Sequence, residues 1–305
     1  MENFTKEEYG SFENLYCTDQ SFGNHALLLS IIHYFLSLTA FLGNTLILVA
    51  LGKESSLHPP SKLLYCSLAT TDLLVGLISE PSAAVYSMTL RIKTDRKHWL
   101  TVCFYSAAVS TVSFTILCTV SLMTLTAISI DRLLALLSGV RYRHIVTVGR
   151  TRVFVLWFWI SSIAFASFSI WKYEIPFSFR YGIILVCLLI SATCYSKIYL
   201  VLRERLHVNN EEKAKAGKIL ANIAWYRKTV FTALWVQFTL VICYLPYSIV
   251  ITIVTVDGSS PILHVLWGYS AALVYLNSSL NPVLYCWKIR NLRKAVKDTI
   301  KQLFL

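Results

Sequence analysis

Charge is scarce in this chain. Asp, Glu, Lys and Arg make up 14% of its 305 residues, where a soluble domain carries about 25%. A further 56% are apolar and fall in blocks, so lipid is the expected bulk solvent. A basic-then-apolar leader is also missing. Residues 1–25 are polar and acidic, which speaks against a cleavable signal peptide and makes the first apolar block its own insertion signal. There is no His-Glu-x-x-His or similar metal-ligand motif, and the seven histidines do not cluster, so enzymatic activity has no support.

What is present is a set of seven apolar blocks, at about 26–51, 62–87, 100–133, 152–172, 178–203, 228–255 and 262–287. Each meets the demand for roughly 20 apolar residues to cross a hydrocarbon core of about 30 Å. The expected fold is an all-α membrane protein, a seven-transmembrane helix bundle with a short amphipathic eighth helix. Residues 1–25 form an extracellular segment, 26–287 the bundle and 288–305 an amphipathic cytoplasmic helix and tail. Glu80-Pro81 interrupts the second block and Pro246 the sixth, breaks that neighbouring helices can make good.

A net charge of +12 suggests nucleic acid only until its placement is read. With the N-terminus outside, most of the 28 lysines and arginines fall in the inner segments, as the positive-inside rule requires. Arg91, Lys93, Arg96 and Lys97, between the second and third blocks, are the exception. From 288 to 303, apolar Ile289, Leu292, Val296, Ile300 and Leu303 interleave with basic Lys288, Arg290, Arg293, Lys294, Lys297 and Lys301. That spacing suits a helix lying on an anionic leaflet. Nucleic acid is excluded as a partner and membrane lipid is expected.

Six of the eight cysteines lie inside apolar blocks, where Cys is ordinarily a small filler, and Cys103 stands at the outer start of the third block. Cys17 and Cys103 alone face the oxidising side, so a Cys17–Cys103 disulfide is expected, two free thiols being the alternative. Asn3-Phe4-Thr5 is a glycosylation sequon in the external tail. Asn277-Ser278-Ser279 has the same pattern inside the seventh block, beyond a glycosyltransferase's reach.

Polar groups in lipid are costly, about 2.5–3.5 kcal/mol for a central Asp, and so point to function. Asp72 is one. Asn44, Ser121, Asn277, Ser278 and Asn281 lie at similar depth, and their oxygens would hold a hydrated sodium ion beside the carboxylate. The alternative is a hydrogen-bonded polar core without an ion; no other cofactor and no other metal is expected.

Gly43-Asn44, Leu68-Ala69 with Asp72, Asp131-Arg132-Leu133, Trp159, Cys243-Tyr244-Leu245-Pro246 and Asn281-Pro282-Val283-Leu284-Tyr285 follow one another on successive blocks. In this order they resemble the motifs of rhodopsin-like (class A) G-protein-coupled receptors. The stretch from Ala127 to Leu136, with Val140-Arg141-Tyr142-Arg143 after it, resembles cnidarian orphan receptors grouped near adenosine and melanocortin receptors.

The resemblance implies a plasma-membrane receptor that carries an extracellular ligand's signal to heterotrimeric G proteins. Arg132 would be held by Asp131 at rest and released on activation, with Tyr195 and Tyr285 receiving it. Pro246 would kink the sixth helix, whose inner half swings outward. A multi-helix transporter or cation channel is the alternative, but the chain lacks the internal repeat and paired broken helices common in transporters.

Departures from the family pattern matter as well. Tyr244 stands where a Trp is usual, Cys187 near a usual proline. The short loop from about Trp171 to Phe179 lacks the cysteine that normally bridges to the third helix. No acidic residue opens the sixth helix on its inner side, so raised basal activity is expected. The tail has one hydroxyl residue, Thr299, so arrestin binding through tail phosphate is expected to be weak.

Phe114 occupies the place of the amine receptors' Asp, Ile251 that of the adenosine receptors' Asn, and no Lys lies between 262 and 287 for a retinal Schiff base. Amines, nucleosides and retinal are disfavoured accordingly, and the ligand is unidentified. The expected pocket is aromatic with one carboxylate: Glu80, Phe114, Tyr244, Tyr247, Trp267 and Tyr275.

Overall fold

The computed structural model describes residues 16–17, 23–55, 57–92, 95–171, 175–212, 235, 238–254, 256, 260–288 and 290–303. Helices account for nearly all of them: α1 Gly23–Lys53, α2 Pro59–Thr89, α3 Arg96–Ser138, α4 Val148–Trp171, α5 Ile175–Glu212, α6 Phe238–Val254, α7 Pro261–Lys288 and α8 Arg290–Leu303. No strand occurs among the described residues. In lipid every backbone polar group must be satisfied within its own segment, and the helix does that. Helices α1 to α5 are long and apolar enough to cross a membrane, and α6 is a shorter apolar helix over its described length.

The helices outrun the apolar blocks by a few residues at most ends, because polar flanks continue the same hydrogen-bond ladder. The largest extension is α5, which starts at Ile175 and runs to Glu212. Phe179 therefore belongs to a helix and not to the preceding loop. The inner part of the sixth block lies outside the described residues, as do Asn3 and Lys93.

Burial runs opposite to that of a soluble bundle. On α1, Leu28, Ile31, Phe35, Leu38 and Leu42 form an exposed stripe, while Ala40, Asn44, Ile47 and Leu51 are buried. The three-and-four spacing puts each set on one face. The exposed stripe of α1 is thus wholly apolar, as a lipid-facing surface is, while its buried face mixes small, polar and apolar side chains.

Helix α3 touches α2, α4 and α5, and α1 packs against α2, α7 and α8. Close approach depends on two glycines. A Cβ on Gly43 would lie 2.9 Å from Pro282 Cγ, and one on Gly76 would lie 2.8 Å from the Phe41 backbone nitrogen. Gly139 ends α3 with φ 49°, a left-handed turn that leads into the short helical turn Tyr142–Ile145.

The break expected at Glu80-Pro81 is a π turn, Val75–Ser79, within an otherwise continuous α2. Pro81 cannot donate to the preceding turn, and the wider turn loosens the ladder there. Two of its carbonyls gain side-chain donors: Ser37 Oγ to Gly76 O at 2.7 Å and Ser82 Oγ to Ile78 O at 2.7 Å.

The amphipathic α8 is pinned to α1. Lys53 Nζ donates to Gln302 Oε1 at 2.8 Å and to Thr299 Oγ1 at 3.2 Å, and Leu292 is fully buried. Arg293, Lys294, Lys297 and Lys301 are on the opposite, open side. Thr299, the hydroxyl of the tail, is itself buried.

Candidate functional site

A cavity of about 100 Å³ opens between α1, α2, α3, α6 and α7 near one end of the bundle. Six aromatic rings line it, those of Tyr16, Tyr86, Phe114, Tyr247, Trp267 and Tyr275, together with His33 and His264. Phe114 stands 5.0 Å from the Tyr275 ring and 5.2 Å from the Tyr247 ring, centroid to centroid. Such edge and tilted packing fixes ring orientations.

Glu80 is not on the cavity wall. It lies behind His33, whose Nδ1 is 2.6 Å from Glu80 Oε2, and the carboxylate is fully buried. The π turn beside it joins three helices. Ser79 Oγ is 2.8 Å from the Tyr275 hydroxyl on α7 and accepts from Ser113 Oγ of α3 at 2.9 Å. Tyr244 lines a second, smaller cavity between α3, α5 and α6, with Phe114 and Tyr247 common to both. Of the expected pocket residues, Phe114, Tyr247, Trp267 and Tyr275 line the first cavity and Tyr244 the second, while Glu80 lines neither and contacts His33 of the first. His33 could have been found as Glu80 was, as an ionisable residue in an apolar block.

At the same end Cys17 and Cys103 form a disulfide. It places Tyr16 on the cavity, and Tyr86 Oη donates to the Tyr16 carbonyl at 2.9 Å.

Mid-bundle, Asp72 is fully buried. Asn281 Nδ2 donates to its Oδ2 at 2.7 Å and Ser121 Oγ to its Oδ1 at 3.3 Å. Asn44 does not bond the carboxylate; its Nδ2 donates to the carbonyls of Ala40 at 2.8 Å and Ser278 at 3.1 Å, joining α1 to α7. Its Oδ1 and the Nδ2 of Asn277 are buried without partners. The donor set around Asp72 holds one charged and several neutral oxygens, the ligand type that hard cations take.

At the far end, Arg132 Nη2 is 3.0 Å from Asp131 Oδ2, and its guanidinium carbon is 5.7 Å from the centre of the Tyr65 ring. Asp131 also accepts from Ser61 Oγ at 2.9 Å and from Tyr142 Oη at 2.6 Å. Partial burial and the Asp131 carboxylate push the Tyr142 phenol up to about 12, so it stays a donor at neutral pH. Tyr65 packs edge-on to Tyr285 at 5.1 Å, and Tyr195 is buried within electrostatic reach of the guanidinium. Pro246 is half-buried inside α6. Asp131, Arg132, Tyr195 and Tyr285 thus lie at one place with Ser61, Tyr65 and Tyr142, while Pro246 sits apart in α6, between Tyr244 and Tyr247 of the two cavities. Those three partners come from α2 and from the turn after α3, and no local pattern announced them.

The family description "7 transmembrane receptor (rhodopsin family)" matches residues 43–176 and 166–285. The chain belongs to that family. This receptor is 27% identical to the histamine H2 receptor of Cavia porcellus, over 92% of this chain and 80% of that protein. To the histamine H2 receptor of Homo sapiens it is 27% identical over 84% and 74%. To the adenosine receptor A3 of Ovis aries it is 27% identical over 85% of each chain. The receptor is therefore a multi-pass protein of the plasma membrane and a G-protein-coupled receptor, and the transporter reading is set aside.

Proposed function

We propose that this receptor, with its N-terminus extracellular, binds its ligand in the cavity between α1, α2, α3, α6 and α7 and answers by swinging the inner half of α6 outward about Pro246. Arg132 then leaves Asp131 and turns toward Tyr195 and Tyr285, opening a site for a heterotrimeric G protein. The observation that carries this reading is the held arginine. Its ion pair to Asp131 is 3.0 Å long and the carboxylate has two further donors, Ser61 and Tyr142. A permanent cation with a shared carboxylate and an adjacent ring has two resting places, and a two-state element is what a ligand can bias.

Sodium beside Asp72 belongs to the same proposal, with Asn44, Ser121, Asn277, Ser278 and Asn281 as the oxygen-bearing neighbours. The orphaned Asn44 Oδ1 supports it. Glycosylation at Asn3 follows if the N-terminus is external.

Neither histamine nor adenosine is proposed as ligand. Phe114, packed between Tyr247 and Tyr275, brings no charge for an amine. Ile251 is fully buried in the core and does not line the cavity. A small ligand with an apolar body and a polar group directed at His33 suits the wall better.

Coupling of the expressed receptor to a panel of G proteins, without added ligand, tests the scheme. Wild type is expected to give a basal signal that Arg132→Ala removes at equal surface expression. A mutant signal equal to wild type would exclude Arg132 as the coupling residue.

A further inference from the structure

The external bridge does more than close a loop. Cys103 lies in the first turns of α3, and its partner Cys17 holds Tyr16 against that end of the bundle. Tyr16 is thereby seated among side chains from several helices. It packs with Ala26 of α1, Tyr86 and Leu90 of α2, Cys103 and Ala107 of α3, and Trp267 of α7. Its ring is 5.4 Å from that of Trp267 and 6.3 Å from that of Tyr86, and the residue is 8% exposed. The Tyr86 hydroxyl fastens its carbonyl at 2.9 Å. Tyr16 also lines the cavity whose other walls come from α1, α2, α3, α6 and α7.

We propose that Tyr16 is the roof of the ligand cavity, a binding-site residue supplied by the N-terminal segment, and that the Cys17–Cys103 bridge keeps it closed. The proposal rests on the reading of this cavity as the ligand site. Tyr16 is held over the cavity by its covalent neighbour Cys17, by the hydrogen bond from Tyr86 and by ring contacts with Tyr86 and Trp267. Ligand entry then requires the ring to lift from Trp267, and the covalent tether guarantees its return. Breaking the bridge releases Tyr16 and leaves the cavity open, so external reductant regulates access.

The test needs no ligand. Ser87 lines the cavity on α2, is buried and lies away from Tyr16 in sequence. A Ser87→Cys receptor is purified and treated with 2-aminoethyl methanethiosulfonate, and the rate of modification at position 87 is followed by peptide mass spectrometry. Mapping by position separates this thiol from the native ones. The same rate is measured with Tyr16→Ala, with Tyr16→Phe and with the pair Cys17→Ser and Cys103→Ser added. Thermal melts confirm that each variant is folded.

Modification is expected to be slow with Tyr16 or Phe in place and at least about tenfold faster with Ala or without the bridge, because the rate follows the fraction of time the roof is open. Equal and fast rates in every variant would overturn the roof while leaving the cavity as a ligand site. No modification in any variant, Tyr16→Ala included, would overturn both, since the cavity would then have no entrance at this end.

Discussion

His33 of α1 and Glu80 of α2 lie 2.6 Å apart, Nδ1 to Oε2, with both side chains shut away from solvent. Two ionisable groups in lipid are tolerable because each is the other's partner. Removing one strands the other, which costs about 3–5 kcal/mol for a buried pair. His33→Ala and Glu80→Ala are each expected to lower the melting temperature of the purified receptor. The double variant is expected to lose much less than the sum. Strictly additive losses would show that the two side chains do not depend on each other.

Sodium is expected to stabilise the receptor through Asp72. Binding to the folded state alone contributes about 1 kcal/mol once the ion is at several times its Kd. Melting curves in sodium chloride and in choline chloride at equal ionic strength should differ for wild type and coincide for Asp72→Asn. A sodium effect that survives Asp72→Asn would place the ion elsewhere.

Tyr142→Phe removes the 2.6 Å hydrogen bond to Asp131 and leaves Ser61 and Arg132 on the carboxylate. A hydrogen bond to a charged group contributes about 1.5–3 kcal/mol. If it holds the resting state, basal coupling rises several-fold at matched surface expression; an unchanged basal signal would show the bond to be equal in both states. The phenol also sets a pH window. Its ordinary value is 10.0 and the folded value about 12. The stability it adds is therefore complete below pH 10, and it is lost as pH rises through 12. Melting temperature should fall more steeply over that interval in wild type than in Tyr142→Phe.

Gly76→Ala is expected to destabilise, the reverse of an ordinary Gly→Ala change inside a helix. The new Cβ would meet the Phe41 nitrogen at 2.8 Å and the Ser37 carbonyl at 2.9 Å, both backbone atoms that cannot rotate away. Overpacking of this kind costs about 1–3 kcal/mol. A melting temperature at or above wild type would mean that α1 and α2 separate freely.

The sequence made some of these features plain and left others out of sight, for physical reasons. Asp72 and Glu80 stand out because a carboxylate in an apolar block is expensive wherever it ends up. Cys17 and Cys103 stand out because the other thiols lie inside the apolar blocks. Partners are harder. Ser61 and Tyr142 meet Asp131 from 70 and 11 positions away, and a serine or a tyrosine near a helix end has many ordinary uses. Tyr16 is harder still, since only the bridge beside it decides what its ring covers. Glu80 was assigned to the pocket wall because sequence gives depth but not azimuth, and His33 occupies the space between.

The π turn Val75–Ser79 changes how α2 must be counted. One residue in excess advances the phase of everything beyond it by about 100°. Glu80, Ala84 and Ser87 point into the protein because of that offset, and a regular helix would carry them toward a different neighbour. Deleting a single residue between 75 and 79 would shorten α2 by little, yet it would turn everything beyond it by about 100° like a key in a lock, carrying Glu80, Ala84 and Ser87 away from the neighbours they now meet.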